Sequence, residues 1–265
     1  MIRSIHNERV KYVRSLARRR VRRREGRFVV EGNRLIGEVV RAGVRPVLVF
    51  YTGAWAETPA GRRLLPALAQ AEEGAWAVGE AVMAACADTQ TPQGVLAVLP
   101  FIHREPQPGP ILILDRLRDP GNLGTVLRSA EAAGVGQVIL TPGTVDPYNP
   151  KVVRGAMGAH FRLAVACLDW PEIAERTAGR AVWLADARGE KDYDAVDWTA
   201  PSALIVGGEA AGAGAEAAAL ATGRVRIPMM GGAESLNAAM AATVILFEAA
   251  RQRRVTIQPA PGRWP

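Results

Sequence analysis

The 265-residue sequence has 2 cysteines, 3 histidines and 3 lysines, and aromatic residues make up only 6% of it. Cys86 and Cys167 stand 81 residues apart, without a C-x-x-C pair or a histidine at ligand spacing. That spacing excludes a disulfide framework and a zinc site, so no metal is expected. His6, His103 and His160 are scattered, which leaves no serine-histidine-acid triad and no histidine metal cluster. Any catalysis is expected to proceed without histidine. No apolar run approaches the length of a membrane span, and the first 27 residues lack the apolar core of a signal peptide. The expectation is a cytoplasmic protein without a membrane partner.

The charge is unevenly placed. Residues 1–27 hold 11 Lys or Arg against Glu8 and Glu25, a net of +9, so the remaining 238 residues sum to −2. Within "ERVKYVRSLARRRVRRREGR" the apolar residues Val10, Val13, Leu16, Ala17 and Val21 recur at helical spacing. An amphipathic basic helix follows, with Arg18, Arg19, Arg20, Arg22, Arg23 and Arg24 as candidate contacts to the phosphates of a nucleic acid. A merely solvated face is the bland alternative, since 30 of the 33 basic residues are arginine throughout an Ala-rich chain. Clustering in one short segment favours nucleic acid. A membrane surface ranks lower, because the apolar face carries no Trp or Phe anchor.

From "RFVVEG" to "GVLAVL" short β-branched runs alternate with helical patterns, which predicts a small α/β domain. The proline-rich "PFIHREPQPGP", residues 100–110, reads as a linker and sets domains at 1–106 and 107–265. The second half alternates "ILILD", "QVILT", "RLAVA", "AVWLA", "ALIVGG" and "VRIPM" with helices, closing on one from Ser235 to about Arg253. Apolar strands each followed by a helix predict a mostly parallel sheet covered on both faces. Ligands of such sheets bind beyond the carboxyl ends of the strands, which directs attention to loops 115–122, 207–214 and 228–237.

In the first loop, "RDPGNLGTVLRSAEAAG", Leu123, Val126, Leu127 and Ala130 form one apolar helical stripe, with Asp119 or Asn122 as cap. Arg128 lies roughly 140° from Leu123 around that helix, where solvent exposure is the ordinary reading. "GGEAAGAGAEA" lacks the Lys-Ser/Thr of a phosphate loop, and "GNLG" lacks the dinucleotide fingerprint, so neither ATP nor NAD is supported. In "IPMMGGAESLNAAMAA" the Gly pair bends the chain and Ser235 is the expected helix cap. These patterns by themselves give an α/β domain with one composite pocket and leave its ligand open.

Read in order, "DPGNLGTVLRSAEAAGV", "IVGGEAAGAG" and "IPMMGGAESLNAAMAATVILFEAAR" resemble the three signature motifs of the SpoU/TrmH family of RNA ribose 2'-O-methyltransferases, within the SPOUT superfamily. The resemblance covers about residues 111–253, and the first domain is more weakly similar to the family's substrate-binding domain. The two-domain layout is similar to that of ribosomal-RNA-modifying members, including the thiostrepton-resistance type. The resemblance implies a C-terminal domain with a trefoil knot that binds S-adenosylmethionine, a homodimer, and a ribosomal RNA substrate, 23S RNA first. Carried over by position, Gly207, Ile227, Met229 and Leu236 would contact the cofactor, and Asn122, Arg128, Glu209, Ser235 and Asn237 would form the reaction side. A transfer RNA substrate, or a catalytically silent RNA-binding protein of the same fold, are the alternatives.

Overall fold

In the computed structural model, which describes residues 1–208 and 212–256, the chain forms two compact units. One comprises Met1–His103 with Asp146–Arg162, and the other Arg104–Val145 with the rest of the chain.

The first unit contains α1 (Glu8–Ser15), α2 (Arg19–Glu25), β1 (Arg27–Glu31), α3 (Asn33–Arg41), β2 (Leu48–Thr52), α4 (Gly53–Ala56), α5 (Pro59–Leu68), β3 (Ala75–Val78), α6 (Glu80–Cys86) and β4 (Val95–Pro100). Its sheet runs β1-β4-β2-β3, with β4 antiparallel to both neighbours and β2 parallel to β3. The continuous apolar run of β4 follows from burial on both faces. Val95, Ala97 and Leu99 join Phe28, Ile36 and Leu68 on one side, while Leu96 and Val98 join Val10, Val13 and Phe50 on the other.

The expected single basic helix is two helices. Leu16 closes α1 and Arg18 opens α2, which stops at Gly26 in the left-handed region (φ 62°). The break leaves the carbonyls of Leu16 and Ala17 without helical partners, and Arg22 Nη1 donates to both, at 2.9 and 2.7 Å. Arg22 Nε and Nη2 donate to Asp146 Oδ2 at 3.0 and 2.6 Å, and Arg22 is only 2% exposed. This explains why Asp146–Arg162, read from sequence as part of the second domain, groups with the first unit. Tyr148 stacks on Phe101 with centroids 4.0 Å apart, and Val153 and Phe161 enter the core beside Phe28.

The second unit contains β5 (Ile111–Asp115), α7 (Pro120–Ala132), β6 (Gln137–Leu140), β7 (Val165–Cys167), α9 (Trp170–Thr177), β8 (Ala181–Ala185), β9 (Lys191–Asp192), β10 (Ser202–Gly207), α10 (Ala215–Leu220), β11 (Gly223–Arg226) and α11 (Ala238–Thr256); α8 (Pro150–Ala156) belongs to the first unit. The seven strands pair in parallel throughout, in the order β7-β6-β5-β10-β8-β11-β9. β5 and β10 lie side by side near the middle, so their Ile, Leu and Val residues are buried and the strands read as unbroken apolar runs. Among the described residues no helix is long and apolar enough to cross a membrane, and no group of acidic, His or Cys side chains is placed to hold a metal.

Candidate active site

α7 starts where Asp119 accepts the Asn122 N–H at 2.8 Å, with Pro120 in the first turn. Its apolar stripe, Leu123, Val126, Leu127 and Ala130, is buried as the periodicity predicts. Asn237 caps α11: its Oδ1 accepts the Ala239 N–H at 2.9 Å. The expected cap Ser235 lies in the exposed segment ahead of the helix. The same Asn237 side chain donates from Nδ2 to Asn122 Oδ1 at 3.2 Å, joining the first and third motifs. Further along, the Thr243 hydroxyl donates to Ser129 Oγ at 2.8 Å and Arg253 Nη2 to the Ala133 carbonyl at 2.9 Å, so the two helices are tied along their length.

The loop after β10 is pinned by one residue. The buried Asp115 accepts the Gly214 N–H on Oδ2 at 2.7 Å and the Thr141 hydroxyl on Oδ1 at 2.9 Å, while its carbonyl accepts the Gly208 N–H at 2.9 Å. Both ends of the loop therefore hang on the last residue of β5. The next residue, Arg116, occupies the left-handed region with φ 54°, an unfavourable conformation for a side-chain-bearing residue. Backbones pass so closely here that a Cβ on Gly207 would lie 2.3 Å from the Ala213 nitrogen, and one on Gly208 2.4 Å from the Arg116 carbonyl oxygen.

Beyond the carboxyl ends of β8, β10 and β11 lies a cleft of about 1030 Å³. Its walls include Leu184, Val206, Ile227 and Ile245, and its polar rim includes Asp186, Arg224 and Ser235. Asp186 Oδ2 accepts from Arg224 Nη1 at 3.2 Å, and its Oδ1 accepts the Arg188 N–H at 2.9 Å. A nucleoside-sized group matches this site in three respects. The volume is at the upper end of the ~300–1,000 Å³ usual for ligand sites, the walls are apolar, and the glycines at the end of β10 let the chain turn without side chains in the way.

Six of the residues expected from sequence, Gly207, Ile227, Met229, Ser235, Leu236 and Asn237, line this one cleft. Asn122 reaches it through Asn237. Arg128 does not line the cleft: it is exposed on α7 and makes no hydrogen bond or ion pair with a described residue. Glu209 lies outside the described residues. In the first unit Arg18, Arg19, Arg20, Arg23 and Arg24 are exposed. Arg22 is not a candidate RNA contact, because its guanidinium is buried and committed to Asp146 and to the helix break. Asp115 and Asp186 were missed from sequence. Asp186 follows the carboxyl end of β8, and applying the strand-end rule to every strand, not only the glycine-rich ends, finds it; Asp115 lies at the start of the loop 115–122, but nothing local marks it as an anchor.

A parallel sheet with a composite cleft at its carboxyl edge defines an α/β protein that binds a nucleoside-like ligand, with helix-borne polar residues beside it. The model of the SpoU rRNA methylase family matches residues 109–247, and that of the MRM3-like substrate binding domain matches residues 7–97. The chain belongs to the SpoU rRNA methylase family. It is 30% identical to the 23S rRNA (guanosine(2553)-2'-O)-methyltransferase RlmP of Bacillus subtilis, over 93% of this chain and 97% of that protein. With the mitochondrial rRNA methyltransferase 3 of Mus musculus it shares 32% identity, over 89% of this chain and 70% of the relative. Among solved structures, the SpoU methyltransferase AviRb from Streptomyces viridochromogenes, in complex with the cofactor AdoMet, superposes with a TM-score of 0.84 at 32% identity, covering 94% of this chain and 98% of that one.

Proposed function

We propose that this chain methylates a ribose 2'-hydroxyl of RNA, with 23S ribosomal RNA as substrate and S-adenosylmethionine as methyl donor. The observation that carries this reading is the Asn237–Asn122 hydrogen bond, which couples the rim of the cleft to the helix bearing Arg128. S-adenosylmethionine supplies, when bound, a methyl group made electrophilic by its sulfonium. Gly207, Ile227, Met229 and Leu236 would hold it, the apolar walls taking the adenine and backbone groups fixing its polar edge.

The residues of the chain then have to bring the hydroxyl oxygen into line and stabilise the charge it develops as its proton leaves. Arg128 serves the second purpose. A guanidinium stays protonated in proteins and is a poor base, so its role is electrostatic: it grips the phosphate beside the target ribose and faces the developing 2'-oxyanion. The proton passes to that phosphate or to water. Its exposure and lack of a partner among the described residues leave its donors available to RNA. Asn122 and Ser235 orient the ribose, Asn237 holds Asn122, and Glu209 is assigned to the network that supports the arginine. Rates of Arg128→Ala and Arg128→Lys, with S-adenosylmethionine affinity measured separately by calorimetry, test this. Slow turnover in both with unchanged affinity is expected, and near-parental rates in both would overturn it.

The same reading includes a homodimer, a trefoil knot and action in the cytoplasm. Met240, Val244 and Phe247 lie at i, i+4 and i+7 on the outer side of α11, with Met240 57% and Phe247 45% exposed, and Met230 is 98% exposed nearby in sequence. An apolar stripe of this kind supports burial against a second copy; sedimentation should find two chains per particle. The attachment of Gly208 and Gly214 to Asp115 supports a loop closed tightly enough for a knot. Ribose-methylation mapping of total RNA with and without the gene identifies the nucleotide.

A further inference from the structure

A second cavity, of about 260 Å³, lies within the first unit. Its floor is apolar, built from the buried Val13, Leu16, Val30, Leu35 and Val153. Around it stand charged groups with unspent capacity. Arg14 is exposed and its side chain makes no hydrogen bond or ion pair with a described residue. Glu31 Oε2 accepts the Asp88 N–H at 2.9 Å, and its second oxygen accepts nothing from the described residues. Asp88 pairs with Arg154. Arg22 lines the cavity too, but its guanidinium is held by four N–H bonds to Asp146, Leu16 and Ala17, so it shapes the wall and leaves the phosphate to Arg14.

We propose that this cavity receives one unpaired nucleotide of the RNA, its base on the apolar floor and its phosphate held by Arg14. This rests on the reading of the chain as an RNA methyltransferase and adds a substrate subsite remote in sequence from the methyl-donor motifs. Three observations select a nucleotide within a strand. The volume admits one flat base and excludes a duplex, whose bases stay stacked. The two helices that carry Arg14 and Arg22, with the turn between them, also carry the exposed Arg18, Arg19, Arg20, Arg23 and Arg24, enough cation for a polyanion continuing beyond the cavity. The free oxygen of Glu31 accepts, and so matches a base edge bearing N–H groups, guanine above all.

Ala87 and Cys86 are half-buried residues of the cavity lining, one a place to block it and the other a reporter. Burial pushes the Cys86 thiol up to about 11, so it is alkylated slowly, and a Cys167→Ala background removes the exposed competitor. The probes are a mixed-sequence RNA of about 12 nucleotides and the duplex it forms with its complement. The single strand is expected to slow alkylation of Cys86 by iodoacetamide while the duplex leaves it unchanged. Ala87→Phe is expected to weaken single-strand binding roughly tenfold, with duplex affinity, S-adenosylmethionine affinity and the thermal midpoint unchanged. Arg14→Ala provides a variant that adds no bulk and is expected to weaken the single strand in the same direction. Equal protection by strand and duplex, or parental single-strand affinity in both variants, would overturn the subsite. Strand-selective protection in a parent protein that transfers no methyl group would overturn the proposed activity and leave the subsite standing.

Discussion

Two arginines on two helix corners exchange the roles their sequence settings imply. Arg22, in a run of exposed arginines on α2, is 2% exposed and spends four donors inside its own unit. Arg128, alone on the polar side of α7, is exposed and has no partner among the described residues. A cation whose donors are mostly claimed by the fold contributes to stability; one left unclaimed is available to a ligand. Removing Arg22 should therefore give the largest effect. Arg22→Ala strands the Asp146 carboxylate and the Leu16 carbonyl in a buried place, at a cost of about 3–5 kcal/mol, read by urea unfolding. Replacing both partners by apolar residues should recover most of it. A variant of parental stability that loses RNA affinity would reverse the comparison.

Arg128→Ala probes the other side. The loss of one electrostatic donor from a reacting centre costs about 10²–10³ in turnover, whereas an exposed residue without partners costs about 0.5 kcal/mol of stability or less. Turnover and unfolding measured on the same preparation separate the two arginines. A stability loss comparable with that of Arg22→Ala would show that Arg128 is also structural.

A buried group in the first unit gives a pH-dependent version of the same contrast. His160 is 4% exposed; its Nε2 donates to the Pro147 carbonyl at 2.8 Å, and Nδ1 has no partner among the described residues. Burial lowers its pKa from 6.5 to about 4, so the folded chain keeps it neutral while the unfolded chain protonates it below 6.5. The unfolded state then binds more protons, and stability falls as pH drops from about 6.5 to about 4, by up to about 3 kcal/mol. His160→Phe should flatten that part of the curve relative to the parent; an unchanged curve would show that other groups cause the slope. In the second unit, Asp115→Asn replaces one acceptor oxygen by a donor NH₂ facing either the Gly214 N–H or the Thr141 hydroxyl. A cost of about 1–3 kcal/mol is expected, with KM for S-adenosylmethionine rising more than kcat falls and Asp115→Glu failing to restore it.

What the sequence made legible follows the same division between local and distant causes. "ILILD" and "AVWLA" coincide with β5 and β8, because apolar runs bounded by turn residues are local signals. The three strand-end loops were found for the same reason, and six of the named residues meet in one cleft. The cap of α11 was misplaced because Ser and Asn are equally good caps two residues apart, and only the Asn122 contact distinguishes them. Arg22 was unreadable: its partner Asp146 is 124 residues away, and the same pairing carries Asp146–Arg162 into the first unit. Asp115 was unreadable as an anchor because the groups it holds, Thr141 and Gly214, lie in other loops.

The smallest effects belong to the exposed arginines, and they sharpen the comparison most cheaply. Arg18, Arg19, Arg20, Arg23 and Arg24 face solvent, and among them only Arg24 has an ion pair with a described residue, its neighbour Glu25 at 2.8 Å. Each that meets a phosphate displaces a counterion, so an alanine at that position should lower the slope of log affinity against log salt by about 0.7–0.9. Affinity at one salt concentration should fall only a few-fold per residue. Arg23→Ala and Arg19→Ala should show this at parental stability. A lowered slope in the double variant Arg22→Met with Asp146→Leu, which removes the charge together with its buried partner, would mean that Arg22 reaches the RNA after all. Unchanged slopes for all five exposed positions would move the RNA interface off α2. The proposed subsite would then have to stand on Arg14 and the cavity alone, because a base can enter a pocket only if its own strand is held at the mouth.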